Sequence, residues 1–207
     1  MKETIILSKS KIIIMRLNLK LILVLISLYS NESFAQYSTN RGLWAKEFSK
    51  DECLFKSKHY VISEILGGYS ININKVEMEA LTAAKSGELT TIYYKSEQIN
   101  KEGLVLGFFG TRWNESGVIY QSYAFKNLPS DTAIEIMSKL NNAIDENSKF
   151  LNDPYDKKNI YFKYDDLSFI IYNDMGINIR VFWNDFDATW DFKSFEKTMK
   201  RFNKKMK

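Results

Sequence analysis

The best candidate for holding a metal ion is the acidic run Asn184-Asp-Phe-Asp-Ala-Thr-Trp-Asp191. Asp185, Asp187, Thr189 and Asp191 place oxygens at alternate positions, and Glu196 is the twelfth residue counted from Asp185. A hard cation such as calcium takes about six to eight oxygen ligands, and loops of the EF-hand kind deliver them at this spacing. Two features depart from that pattern. Trp190 stands at the sixth place, where the tight turn needs glycine, and the preceding segment reads as a strand instead of a helix. The plainer expectation is a polar strand end followed by an aspartate that caps a helix.

Other chemistry has less to draw on. Cys53 and His59 form the chain's one thiol–imidazole pair, but nucleophilic catalysis needs a base oriented by a third group. The expected roles are a buried small apolar Cys53 and a surface His59. A single histidine excludes histidine-rich zinc sites. The carboxylate pairs Asp165-Asp166 and Glu77/Glu79 are expected to be solvated. Gly103, Gly107 and Gly110 lie in a strand-like stretch with no helix behind it, so they are not a phosphate loop. Asn114-Glu115-Ser116 matches the glycosylation acceptor pattern.

The elements that must hold these groups follow from periodicity. Leu89–Ser96, Leu104–Phe109 and Val118–Phe125 read as strands, followed by a helix from Ser130 or Asp131 to about Lys149. That helix has Ala133, Met137, Leu140 and Ile144 on one face. The plan then recurs: strands at Asn159–Tyr164, Leu167–Tyr172 and Ile177–Trp183, and a final helix capped by Asp191, with Phe192, Phe195, Met199 and Phe202 as its apolar side. Upstream, the composition predicts strands at His59–Leu66 and Tyr69–Ile73 and a helix over Lys75–Ser86 stopped by Gly87. The expected fold is α+β: an antiparallel sheet with helices on one face. The element order is that of a βββα–βββα pseudo-repeat with slight residue identity between its halves.

Several strands are apolar on both faces. If helices cover one face only, the other presents Tyr161, Tyr172 and Phe182, and contiguous apolar area of that kind marks an interface or ligand groove. The competing expectation is that the N-terminal segment folds over it.

The first 35 residues read as a secretory signal peptide. Arg16 and Lys20 precede the apolar stretch Leu21–Leu28, and Ser33-Phe34-Ala35 offers the small residues at which a signal peptidase cuts, between Ala35 and Gln36. Met15 could itself be the start. Residues 36–207 then form a single exported domain, periplasmic or extracellular. Residues 1–35 hold five of the 29 basic side chains and two of the 25 acidic ones, so the rest carries a net charge of only +1. The basic balance of the whole chain is therefore no sign of nucleic-acid binding.

Within the exported part, Lys193–Lys207 holds seven basic residues and one acidic. They are expected to complement a helix C-terminus, the alternative being contact with an anionic lipid or polymer surface. One cysteine rules out an internal disulfide framework. The function expected is non-enzymatic binding of a protein, peptide or small molecule through the aromatic sheet face, with no cofactor. The alternative is a small exported hydrolase or calcium-binding protein centred on Asp185–Asp191.

Overall fold

A computed structural model describes residues 41–82, 88–113, 115–117, 119–152 and 157–207. The segment expected to direct export, with its Ala35-Gln36 junction, Asn114 and Gly87 lie outside the described residues.

Two antiparallel four-stranded sheets carry an α+β fold. The first comprises β1 (Glu77–Thr82), β2 (Thr90–Ser96), β3 (Lys101–Trp113) and β4 (Ile119–Pro129), in that spatial order; the second comprises β5 (Ile160–Tyr164), β6 (Leu167–Asn173), β7 (Ile177–Trp183) and β8 (Phe186–Asp191), likewise in order. Each sheet is followed by a helix, α2 (Ser130–Glu146) with a short α3 (Ser148–Leu151) after the first, and α4 (Phe192–Lys205) after the second. An N-terminal helix, α1 (Arg41–Tyr60), runs into a π-helical turn, Val61–Ile65. Among the described residues, no helix is long and apolar enough to cross a membrane.

Alternation builds the second sheet. Leu167, Phe169 and Ile171 on β6, Ile179 and Val181 on β7, and Ala188 and Trp190 on β8 are buried, while the residues between them are only half covered. These side chains join Leu104, Leu106 and Phe108 of β3 in one core. The helices α2 and α4 close it, with Ala133, Met137, Leu140 and Ile144 on one and Phe195 and Phe202 on the other. Asp191 caps α4 by accepting the Ser194 N–H at 3.0 Å, and Trp190 meets Phe195 edge-on at 5.1 Å. A smaller core lies on the other face of the first sheet, where Val61 and Ile65 pack on Ile92, Tyr94 and Val105.

The structure departs from expectation at four places, each for a physical reason. His59–Leu66 is helical, because Val61 and Ile65, four apart, are the two residues buried on the sheet; a short apolar run cannot distinguish helix from strand by itself. Lys75–Ser86 is not a helix in its described part: Glu77–Thr82 pairs with β2, Glu77 facing Lys95 and Ala80 facing Ile92. Tertiary pairing overrides the helix propensity of its Glu and Ala. Tyr69–Ile73 forms no strand and is exposed. The helix α2 starts after an extended Pro129 without a side-chain cap, so Ser130 and Asp131 lie inside its first turn. In addition, each sheet has a fourth strand that the expected three-strand plan lacks, and helices cover both faces of the first sheet.

Candidate functional site

The register of the second sheet sets three cross-strand rows on the face turned away from the core. Tyr161, Ile170, Arg180 and Thr189 stand opposite one another across the four strands. Lys163, Ser168, Phe182 and Asp187 form the next row, and Tyr172, Asn178 and Asp191 the third. The aromatic trio Tyr161, Tyr172 and Phe182 therefore shares one surface with Asp187, Thr189 and Asp191. Two groups of residues singled out for different chemistry meet here because side chains alternate along each strand.

None of Tyr161, Ile170, Tyr172 and Phe182 belongs to either core. Tyr161 is 82% exposed on the edge strand, and the other three are half-buried among their neighbours. Of the N-terminal helix, Leu54 and Tyr60 pack against the smaller core of the first sheet and Cys53 lies against Thr90 of β2.

The acidic run follows the strand and does not wrap a centre. Same-face residues on β8 are about 6.6 Å apart along the chain, Asp185 sits in the turn before the strand, and Glu196 is on α4. Arg180 already occupies the interval between the oxygens: its guanidinium is ion-paired to Asp187 and donates to Thr189 Oγ1 at 2.6 Å. Asp191 is used as the helix cap. Among the described residues, no three His, Cys, Asp or Glu side chains are grouped to hold a metal ion.

The remaining candidates are dispersed. Six residues apart on a helix are about 240° apart around its axis, and Cys53 and His59 diverge accordingly. Cys53 is buried, its Sγ 3.6 Å from Thr90 Oγ1, and burial above all pushes its thiol pKa up. His59 is exposed, with Nδ1 3.1 Å from the Tyr69 hydroxyl. Each carboxylate pair is clasped by one lysine. Lys126 lies 2.6 Å from Asp166 and 3.8 Å from Asp165, and Lys205 lies 2.5 Å from Glu77 and 2.8 Å from Glu79.

A cavity of about 380 Å³ beside the π-helical turn is lined by Tyr60, Glu64, Tyr94, Lys101 and Asn127. Much of its polar capacity is used internally: Tyr94 donates to Asn127 Oδ1 at 2.8 Å, and Lys101 donates to the Ile65 carbonyl.

Arg180 and Ile170 complete the outer surface and were not among the residues singled out from sequence. The available signal was an arginine at mid-strand, between Asn178 and Phe182 on the solvent side of a half-buried alternation. Comparison with protein-family models, with curated proteins and with solved structures finds no match to this chain.

Proposed function

We propose that this chain is an exported binding module that engages a protein, peptide or small-molecule partner through the outer face of its second sheet. The observation that carries the reading is the gathering of Tyr161, Ile170, Tyr172 and Phe182 on one face, outside both cores. Tyrosine and phenylalanine on a rigid sheet offer large contact area at small entropic cost, and Arg180 adds a directional donor at the centre. An open sheet face of this kind suits a partner surface or an extended peptide better than a substrate that must be enclosed.

The export signal is the basis for placing this activity outside the cytoplasm, with cleavage between Ala35 and Gln36. The recurrence of a four-strand meander followed by a helix supports the pseudo-repeat, now with four strands in each half.

The test has two parts. Amino-terminal sequencing of the protein recovered from outside the cytoplasm should begin at Gln36. Alanine at Tyr161, Tyr172 and Phe182 together should leave the exported form folded while abolishing the shifts that bound peptides or aromatic fragments cause in its NMR spectrum. If the triple variant unfolds, these side chains are structural and the reading fails.

A further inference from the structure

The cavity beside the π-helical turn is built by the end of α1, the turn itself and strands β2, β3 and β4. Val61 and Ile65 pack down on Ile92, Tyr94 and Val105. Tyr60 and Glu64, each one residue earlier, line the cavity from the flank of the turn, where the Tyr60 ring lies 5.3 Å from that of Phe125 on β4. The sheet contributes Tyr94 from β2, Lys101 and Glu102 from β3, and Asn127 from β4. The turn is an uncommon element: the Leu66 N–H donates to the Val61 carbonyl, five residues back, at 2.9 Å. Single π-helical turns occur frequently at functional sites.

Internal hydrogen bonds decide which polar atoms remain for a ligand. Tyr94 donates to Asn127 Oδ1 at 2.8 Å. The amide oxygen is thereby engaged, and Asn127 Nδ2 keeps its N–H donors. Gly103 leaves room for this bond, since a Cβ there would lie 2.8 Å from the Tyr94 hydroxyl. Lys101 donates to the Ile65 carbonyl, and Glu102 accepts from the Tyr93 hydroxyl. Glu64 is exposed and, among the described residues, neither its carboxylate nor the Tyr60 hydroxyl has an ion pair or hydrogen bond. Burial above all raises the pKa of Tyr60 and of Tyr94, so both hydroxyls stay protonated at neutral pH.

We infer that this cavity binds a neutral polyhydroxylated ligand, a sugar ring, with Asn127 donating to a ligand hydroxyl and Glu64 accepting from one. A ligand here meets an uncommitted donor and an uncommitted acceptor. A hydroxyl group serves both at once, whereas an ammonium group only donates and a carboxylate only accepts. An ion of either sign also meets a like charge in the lining, Lys101 in one case and Glu64 with Glu102 in the other. The volume of about 380 Å³ lies within the roughly 300–1,000 Å³ of ordinary small-molecule sites. The two tyrosines add apolar area for ring C–H groups. This site is independent of the outer face of the second sheet.

The experiment titrates the methyl α-glycosides of glucose, galactose and mannose, and separately spermidine, into the isotope-labelled full chain and follows its amide NMR shifts. At least one glycoside should give saturable shifts at Tyr94, Lys101 and Asn127. Asn127→Asp keeps the acceptor for Tyr94 but replaces the N–H donors by an oxygen, and should weaken that binding about tenfold or more. Glu64→Ala, at an exposed position where folding is undisturbed, should weaken it about fivefold. No saturable shift with any of the three glycosides overturns the inference. Shifts confined to the second sheet overturn it in favour of the outer face. Spermidine binding in place of the glycosides overturns it in favour of a cation site. Glycoside affinity that both variants leave unchanged also overturns it.

Discussion

Arg180 on β7 and Asp187 on β8 form an ion pair on the outer face of the second sheet, as diagonal neighbours and not as a directly opposed pair. Arg180 is opposite Thr189, and Asp187 is opposite Phe182. The diagonal lets the planar guanidinium reach Asp187 with one nitrogen and Thr189 with the other, so one side chain joins two rows. Both side chains are more than a third exposed, which keeps them hydrated. The pair therefore governs the charge and shape of the face more than its stability.

Arg180→Met should accordingly cost less than about 1 kcal/mol in urea denaturation. Calcium added to the wild-type chain should leave the melting temperature unmoved, because a cation already lies between the oxygens of Asp187 and Thr189. A rise in Tm with calcium would show that these carboxylates regroup around the ion.

The aromatic face and the core should respond differently to truncation. Tyr161→Ala should change stability by no more than about 0.5 kcal/mol, as expected for an exposed position. Phe169→Ala or Phe202→Ala should cost about 3–5 kcal/mol, since both side chains are buried in the main core. Urea midpoints of the three variants check this directly. A comparable loss at Tyr161 would place it in the core.

Gly103 sits where β3 passes beneath the Tyr94 ring. A Cβ there would lie 2.4 Å from the Leu128 carbonyl oxygen and 2.8 Å from the Tyr94 hydroxyl. Gly103→Ala should destabilise by at least about 1–3 kcal/mol. Gly110→Ala is the control, since nothing lies within 4 Å of its Cβ position. Equal melting temperatures for the two variants would contradict the close strand–ring contact.

Tyrosine ionisation should set the alkaline limit. Burial first, and the hydrogen bond that Tyr93 donates to the Glu102 carboxylate second, hold the Tyr93 pKa well above the ordinary phenol value. A raised folded-state pKa means that this stability is fully present below about pH 10 and falls as the pH rises beyond it. Tyr93→Phe should flatten that decline in a series of denaturation curves. At the acid end the sign is opposite. The Lys205 hydrogen bond lowers the pKa of Glu79, and its contribution fades as the pH drops below about 4.

Some of this fold is legible in single segments. Ile177–Trp183 alternates so regularly that its bounds agree with β7. The spacing of Ala133, Met137, Leu140 and Ile144 gives the buried stripe of α2, and Asp191 caps α4 as its position before the Phe-rich run implies. The strand β8 is less obvious, although Phe186, Ala188 and Trp190 do alternate inward, because the oxygen-bearing residues between them suggest a loop.

The sequence by itself determined the local preferences: which residues alternate and where the final helix starts. These depend on near neighbours and on backbone periods of 2 and 3.6. Tertiary structure alone decided that Glu77–Thr82 is a strand, that His59–Leu66 is helical, and that the tyrosines, Arg180 and the acidic run share a surface. Those outcomes depend on cross-strand register and on which face finds a partner to pack against. Neither is encoded within the window of any one element.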